Sequence, residues 1–223
     1  TKPLSDAAGF RMPASPIQLS WKQRLFGSAE PQIPEWLTAS AEPAAMSAEA
    51  WDSAASAEYA GLDEQALLSR QEQDGSWPGR WGVNYVWGTS EALRRLRELG
   101  VSDREAPVLR GGEWLRSVQN ADGGWGESCA SYSARMLVEA PSTPSQTAWA
   151  VLGLLNGGDR TSLSLENGME YLIRTQRPDG SWHEEAPTAT LNPESLYCNH
   201  SLLAVRYPLQ ALSSFLEVKQ EVA

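Results

Sequence analysis

The chain has little cysteine and little positive charge. Only Cys129 and Cys198 occur among 223 residues, and two cysteines are too few for a disulfide framework. We therefore expect reduced thiols in a cytoplasmic protein. The 18 lysines and arginines are outnumbered by 28 aspartates and glutamates, and no basic cluster is interleaved with aromatic residues. Because phosphate contacts need a basic surface, this charge balance argues against a nucleic-acid partner.

Long apolar runs are missing as well. No stretch approaches the roughly 18 consecutive apolar residues of a membrane-spanning helix. No apolar signal-peptide core follows the opening residues Thr1–Asp6. We expect a soluble protein without a transmembrane segment. Peripheral membrane contact is left open, although no basic amphipathic helix argues for it.

Tryptophan is abundant, with ten residues against three phenylalanines. Three of the tryptophans are the last residue of a repeated sequence motif, Q-x-x-D-G-x-W. The motif occurs at residues 71–77, 119–125 and 176–182. Repeats of this period indicate stacked supersecondary units. The Asp-Gly pair suits a tight turn with one positive φ. Each unit is therefore predicted as a helix, a glycine turn with a buried tryptophan, and a second helix.

Helical patterns fill most of the remaining sequence. Thr89 or Ser90 can cap a helix that ends at Leu99 before Gly100, and Ser142-Thr143-Pro144 is a strong helix start. No β alternation is evident, so the predicted fold class is all-α, with helices in an inner and an outer layer. The other helices are predicted over residues 46–60, 62–71, 105–119, 163–176 and 208–217.

The first 60 residues differ in composition from the rest. They are rich in proline, alanine and serine, yet they contain apolar side chains such as Trp21, Phe26 and Trp36. Truly disordered segments lack such residues, so we expect an arm (residues 1–60) with a short helix, packed on a helical domain (residues 61–223).

Three longer motifs carry a resemblance to a known family. They are GSWPGRWGVNYVWGT at residues 75–89, GGWGESCASY at 123–132 and STPSQTAW at 142–149. In this order they resemble the squalene–hopene and oxidosqualene cyclases, and the three repeats resemble the QW repeats of that family. Residues 62–217 are similar to the C-terminal half of the catalytic domain. The resemblance implies a partial α/α barrel of stacked helical hairpins.

The resemblance also implies an apolar cavity in which a polyprenyl chain cyclises through carbocations stabilised by aromatic faces. Tyr85 and Trp149 match cavity residues of the family, and Trp87 stands where the family usually has tyrosine. Tyr132, Tyr197 and Tyr207 lie in segments similar to the family's aromatic regions. We therefore predict a substrate-binding set of aromatic residues that consists of Trp87, Trp149, Tyr132, Tyr197 and Tyr207.

Family members begin the reaction with a protonating aspartate in a D-x-D-D or D-C-T-A type motif, which this sequence lacks. Asp6, Asp52 and Asp63 are the only aspartates before the first repeat, and none of them belongs to such a motif. Our main hypothesis is therefore a terpene-cyclase-like enzyme that closes a ring in an already reactive terpenoid, for example by a Diels–Alder reaction. His200 and Tyr85 are the predicted catalytic hydrogen-bonding residues.

Two alternatives stay open. The chain can be a fragment or subunit of a proton-initiated squalene-type cyclase, or it can be a non-catalytic terpenoid-binding protein. No cofactor and no metal are predicted, because Cys129, Cys198, His183 and His200 form no recognisable zinc set. The expected partner is an apolar terpenoid, and a homodimer would cover the inner faces of a half barrel.

Overall fold

The computed structural model describes residues 48–193, 196–199 and 201–222, all within the compact unit Ala44–Ala223. Eight helices and two short strands occur in these ranges. In chain order they are α1 (Ala48–Ala60), α2 (Glu64–Ser69), α3 (Tyr85–Glu98), α4 (Ala106–Ser117), α5 (Ser131–Ala134), α6 (Pro144–Asn156), α7 (Leu163–Thr175), β1 (Ala189–Asn192), β2 (Leu196–Cys198) and α8 (Leu203–Val222).

The predicted mainly helical, layered architecture is confirmed. Helices α3, α6 and α8 pack side by side as the inner layer, and α6 lies in the middle with every residue buried except Asn156. Outer helices α2, α4 and α7 pack against α3 and α6 and present amphipathic faces. A helix that is apolar all round is expected in the middle of a packed layer, and α6 occupies that place.

The three Q-x-x-D-G-x-W turns have one geometry. Gly75, Gly123 and Gly180 adopt positive φ values of 99°, 87° and 84°. In each turn the aspartate accepts a hydrogen bond from the backbone N–H two residues later. Each tryptophan indole N–H donates to a backbone carbonyl of the preceding outer helix, at 2.7–2.8 Å. The repeats are therefore structural turns that follow an outer helix and hold a buried tryptophan, as predicted.

The glutamines of the first two turns tie neighbouring outer helices together. The side-chain N–H₂ of Gln71 donates to the carbonyls of Gly75 and Pro107, both at 3.0 Å. Gln119 makes the equivalent bonds to Gly123 and Ser164. In the third turn, the structure gives Gln176 only the local bond to Gly180. The third turn therefore lacks the outer helix that covers the first two turns within the described ranges.

Helix α3 begins earlier than the sequence pattern predicts. It starts at Tyr85, and the hydroxyls of Thr89 and Ser90 have tertiary partners instead of capping it. The Thr89 hydroxyl accepts the backbone N–H of Trp77 at 2.9 Å, and the Ser90 hydroxyl donates to the Trp149 carbonyl at 2.6 Å. Both hydroxyls resemble capping groups in the sequence but bind across the fold.

Two further boundaries differ from the prediction. Helix α8 begins five residues before Pro208 and carries this proline inside it. An internal proline removes one backbone hydrogen bond, and α8 nevertheless continues through Pro208 and packs against α6. Strands β1 and β2 form a small antiparallel hairpin whose Ala189 also bridges to Gly82. The strands were missed because they are too short to show period-two alternation.

Several sequence-based expectations lie outside the described residues. Trp21, Phe26 and Trp36 belong to this group, and the division into residues 1–60 and 61–223 stays a prediction. Helix α1 packs against α3, with Ala55 and Tyr59 buried. None of the helices in the described ranges combines the length and apolar character that a membrane crossing requires.

Candidate functional site

Three aromatic rings meet where the inner helices pack together. Trp87 of α3 contacts Trp149 of α6 edge to face, with ring centroids 4.9 Å apart. Tyr207 of α8 lies 5.9 Å from Trp87 and 5.7 Å from Trp149, again edge to face. All three side chains are buried. This ring cluster (Trp87, Trp149, Tyr207) gathers three π-systems in the apolar core, and aromatic faces are groups that attract a cation.

Close helix packing brings the ring cluster together. A Cβ at Gly153 of α6 would lie 3.0 Å from the Ser90 Cα, so this glycine lets α6 approach α3 closely. Behind Trp87, a Cβ at Gly82 would lie 2.4 Å from the indole ring and one at Gly79 2.6 Å from it. The indole therefore packs directly on glycine backbone.

A second aromatic pair lies near the start of α3. The rings of Tyr132 and Tyr197 stack at 6.0 Å, and both side chains are half-buried. The Tyr132 hydroxyl donates to the carbonyls of Gly82 and Arg80, at 2.7 and 3.0 Å. Burial raises the pKa of Tyr132 far above its usual value of 10.0, so this phenol stays protonated and anchors a loop.

Tyr85 belongs to neither aromatic group. Among the described residues it has a ring contact with Trp114 of the outer helix α4, at 6.5 Å, and burial raises the pKa of its phenol. The other predicted catalytic residue, His200, lies outside the described residues. The structure therefore brings Trp87, Trp149 and Tyr207 together, and Tyr132 with Tyr197, while the catalytic roles of Tyr85 and His200 stay predictions.

Two buried carboxylates escaped the sequence analysis. Glu127 accepts the backbone N–H groups of Asn84, Tyr85 and Val86 at 2.9–3.1 Å, and so caps α3. Glu184 does the same for α6, accepting the N–H and hydroxyl of Ser145 at 3.0 and 2.7 Å. A carboxylate satisfies the free N–H groups of a helix N-terminus and suits its dipole.

A short sequence signal could have identified both carboxylates. Each stands two residues after a repeat tryptophan, as Trp125-Gly-Glu127 and Trp182-His-Glu184. The first repeat has Gly79 at this place, where the Trp87 ring leaves no room for a side chain. Glu184 is followed by a second glutamate, Glu185, but the contacts of Glu184 are those of a helix cap.

Burial is the largest influence on the pKa values of the ionisable groups in this region. It raises the pKa of Glu127 and Glu184 above 4.5, opposed by the N–H and hydroxyl donors that each carboxylate binds. Burial also raises the pKa of the Cys129 thiol to about 12, and the Sγ atom lies 3.5 Å from the Pro187 carbonyl oxygen. Cys129 is therefore a neutral thiol and a poor nucleophile at neutral pH.

No group of three or more metal-ligating side chains occurs in the part of the chain that the structure describes. A surface crevice of about 350 Å³ lies between α4 and the start of α7, where Arg116 pairs with Asp159 at 2.9 Å. No residue of the ring cluster lines this crevice. The ring cluster and its supporting carboxylates therefore remain the candidate site.

Solved structures share this arrangement of helices. The type II terpene cyclase MstE from Scytonema, as a variant in complex with merosterolic acid A, superposes with a TM-score of 0.54 at 16% identity. The match covers 69% of this chain and 48% of that chain. A protein from Actinoplanes gives the same TM-score at 22% identity, over 74% of this chain and 55% of that chain. These likenesses define the fold class, the α/α toroid of terpene cyclases.

Sequence comparison gives the family. Residues 44–217 match the squalene-hopene cyclase C-terminal domain, and the chain belongs to this family. The squalene–hopene cyclase of Bradyrhizobium diazoefficiens is 40% identical over 151 residues, which cover 67% of this chain and 23% of the relative. Dammaradiene synthase of Dryopteris crassirhizoma is 41% identical over 164 residues, which cover 67% and 24%. The chain thus spans 23–24% of the length of these relatives.

Proposed function

We propose that this chain forms the C-terminal wall of the cavity of a proton-initiated terpenoid cyclase of the squalene type. In that role it binds an apolar polyprenoid and stabilises positive charge on the folding hydrocarbon, while an acid outside the matched residues starts the reaction. The ring cluster is the observation that carries the proposal, because three inner helices each contribute one aromatic ring to it. Membership of the cyclase family supports the same function.

The earlier hypothesis of an acid-independent closure of a reactive terpenoid has less support. Neither the family match nor the relatives favour a Diels–Alder reaction. The chain matches less than a quarter of the Bradyrhizobium cyclase, which favours a role as one part of a larger catalytic unit. Non-catalytic terpenoid binding has no specific observation in its favour. Both remain outcomes of the experiment.

A chimeric cyclase tests the proposal. Residues 62–217 replace the matching segment of the Bradyrhizobium squalene–hopene cyclase, and products from squalene are measured by gas chromatography and mass spectrometry. We expect cyclised product from the chimera and none from the 223-residue chain alone. Turnover by the chain alone would contradict the proposal and favour a self-sufficient reaction.

The chimera also tests the ring cluster. Loss of one cation–π contact costs about 2 kcal/mol, so Trp149→Ala should lower product formation roughly 30-fold per folded enzyme. Trp81→Ala is the control, because Trp81 is a half-buried tryptophan outside the ring cluster. Equal effects of the two substitutions would contradict a role of the ring cluster in charge stabilisation.

A further inference from the structure

A buried polar network joins the N-terminal ends of α3 and α6. Glu127 binds the first N–H groups of α3 through its carboxylate. Its own backbone is held by Gln146, the third residue of α6. The Gln146 side-chain oxygen accepts the Glu127 N–H at 3.0 Å, and its N–H₂ group donates to the Glu127 carbonyl at 3.0 Å.

The same glutamine reaches α3 directly. Its N–H₂ group also donates to the Val83 carbonyl, 3.4 Å away and two residues before α3. One helical turn into α3, the Ser90 hydroxyl donates to the Trp149 carbonyl at 2.6 Å. Gln146 is fully buried and Glu127 and Ser90 are nearly so. We call Glu127, Gln146 and Ser90 the inter-helix network.

The inter-helix network lies close to the ring cluster, where the relative position of α3 and α6 decides how the rings meet. Trp87 is the third residue of α3 and Trp149 the sixth of α6, so both rings lie within two turns of the tied ends. The hydrophobic effect is non-directional, so burial of apolar area by itself specifies the position of one helix along another only weakly. Hydrogen bonds have strict geometry, and losing one leaves a buried polar group unsatisfied. These hydrogen bonds therefore add a directional constraint to the close packing of α3 on α6.

We infer that Glu127 and Gln146 are positioning residues that hold α3 against α6 and thereby set the edge-to-face contact of Trp87 with Trp149. Ser90 reinforces the same alignment. The inference extends the proposed function, since the contact defines the aromatic surface that a bound terpenoid meets. The structural part of the inference is independent of catalysis.

Fluorine NMR of the 223-residue chain labelled with 5-fluorotryptophan tests the structural part. Single tryptophan-to-phenylalanine variants assign the resonances of Trp87, Trp149 and Trp182. We expect Glu127→Gln to shift or broaden the Trp87 and Trp149 resonances, because a side-chain N–H₂ then faces backbone donors. Trp182 lies in the third repeat turn, so the chemical shift of its resonance should not change.

The control separates positioning from loss of stability. Leu165→Ala removes buried apolar volume from outer helix α7 and should lower the melting temperature without moving the Trp87 and Trp149 resonances. If Glu127→Gln does not fold, Ser90→Ala replaces it, because this variant deletes a single hydroxyl. Unchanged Trp87 and Trp149 resonances in a folded, destabilised network variant would overturn the inference.

Product analysis of the chimera provides a second readout. A displaced aromatic surface should change which cyclised products form, so Glu127→Gln should raise the ratio of incompletely to fully cyclised products at least several-fold. A proportional loss of all products would indicate a merely structural role. If the chimera makes no product at all, the proposed function fails while the NMR result still decides the positioning inference.

Discussion

Among individual residues, Glu127 and Glu184 show how this fold keeps a carboxylate inside a helical core. Both side chains accept hydrogen bonds from groups at the starts of inner helices, and Glu184 also accepts one from the Thr188 hydroxyl just before β1. Desolvation opposes a buried charge, whereas several aligned donors and the helix dipole favour it. The balance leaves the pKa of both groups raised, with burial as the larger effect.

This raised pKa predicts a pH dependence of stability. The folded chain binds the Glu127 proton more tightly than the unfolded chain, whose carboxyl has a pKa near 4.5. The stabilising contribution is therefore complete below pH 4.5 and is lost as the pH rises through the folded pKa. Burial also raises the pKa of Glu184 and Glu58, so these groups too lower the free energy of unfolding as the pH rises. We expect Glu127→Gln to flatten the fall of the free energy of unfolding above pH 4.5.

Urea denaturation at several pH values from 4 to 7 measures this slope. Glu185→Gln is the control, because Glu185 is an exposed neighbour of a buried carboxylate. Identical slopes for the wild-type chain and Glu127→Gln would show that Glu127 titrates alike in the folded and unfolded chains.

The Trp87 side chain gives a second prediction for a single residue. Its ring fills space against Gly79 and Gly82 and contacts two other rings. Trp87→Ala should lower the free energy of unfolding by about 3–5 kcal/mol, because a buried cavity remains. Trp87→Tyr keeps a smaller aromatic ring at this place and should cost on the order of 1–2 kcal/mol.

Chemical denaturation compares the two Trp87 variants, with Trp81→Ala as a half-buried reference. Equal losses from Trp87→Ala and Trp87→Tyr would contradict this order, because they would mean that a phenol ring recovers none of the packing that the indole makes.

At the scale of elements, the three repeat turns are alike in backbone but differ in what covers them. A Cβ at Gly75 would lie 2.7 Å from the Arg110 carbonyl oxygen, and one at Gly123 would lie 2.8 Å from that of Asn167. A Cβ at Gly180 would meet no atom within 4 Å. The first two turns are therefore close helix contacts, while the third is open in the described structure.

This difference predicts unequal costs for one substitution. All three glycines have positive φ, so alanine costs about 1–2 kcal/mol at each position. Gly75→Ala and Gly123→Ala should cost about 1–3 kcal/mol more, because the added methyl group displaces an outer helix. Gly180→Ala should carry only the backbone cost.

Gly100 is a matched control for the glycine series, since it has a φ of 79° and open space around it. Thermal and urea unfolding of the four alanine variants give the comparison. If Gly180→Ala costs as much as Gly75→Ala, the third turn is covered in solution by something outside the described residues.

The whole chain carries apolar surface beyond the open third turn. Leu202 precedes α8, and Leu209 and Leu216 follow within it at seven-residue steps; their exposure is 56%, 50% and 59%. Leucines at this spacing form one stripe along a helix, as in helices that pair with another helix. The stripe belongs to a chain that spans less than a quarter of the Bradyrhizobium relative.

We therefore predict self-association of the isolated chain through the leucine stripe, in line with the expected homodimer. Sedimentation velocity over a range of protein concentrations should show species heavier than 24.4 kDa. Leu209→Glu with Leu216→Glu should shift the distribution to the monomer. Met136→Glu is the control, because Met136 is equally exposed but lies near the short helix α5. A monomer at every concentration would contradict the prediction.

Local chemistry in the sequence determined much of this protein. The Asp-Gly turns, the Thr143-Pro144 helix start and the stop at Gly100 depend on residues a few positions apart, and the structure confirms each of them. The repeated turns and the ordered motifs also fixed the family. These features could be predicted because φ preferences and helix capping act over less than two helical turns.

Only the tertiary structure decided which side chains meet. Glu127 binds N–H groups 41–43 residues earlier in the chain, Tyr207 joins two tryptophans from other helices, and Tyr85 lies away from Trp87 although only one residue separates them. Residues two apart on a helix point in different directions, and long-range hydrogen bonds leave no periodic signal. The ring cluster and its polar supports therefore follow from how the helices pack.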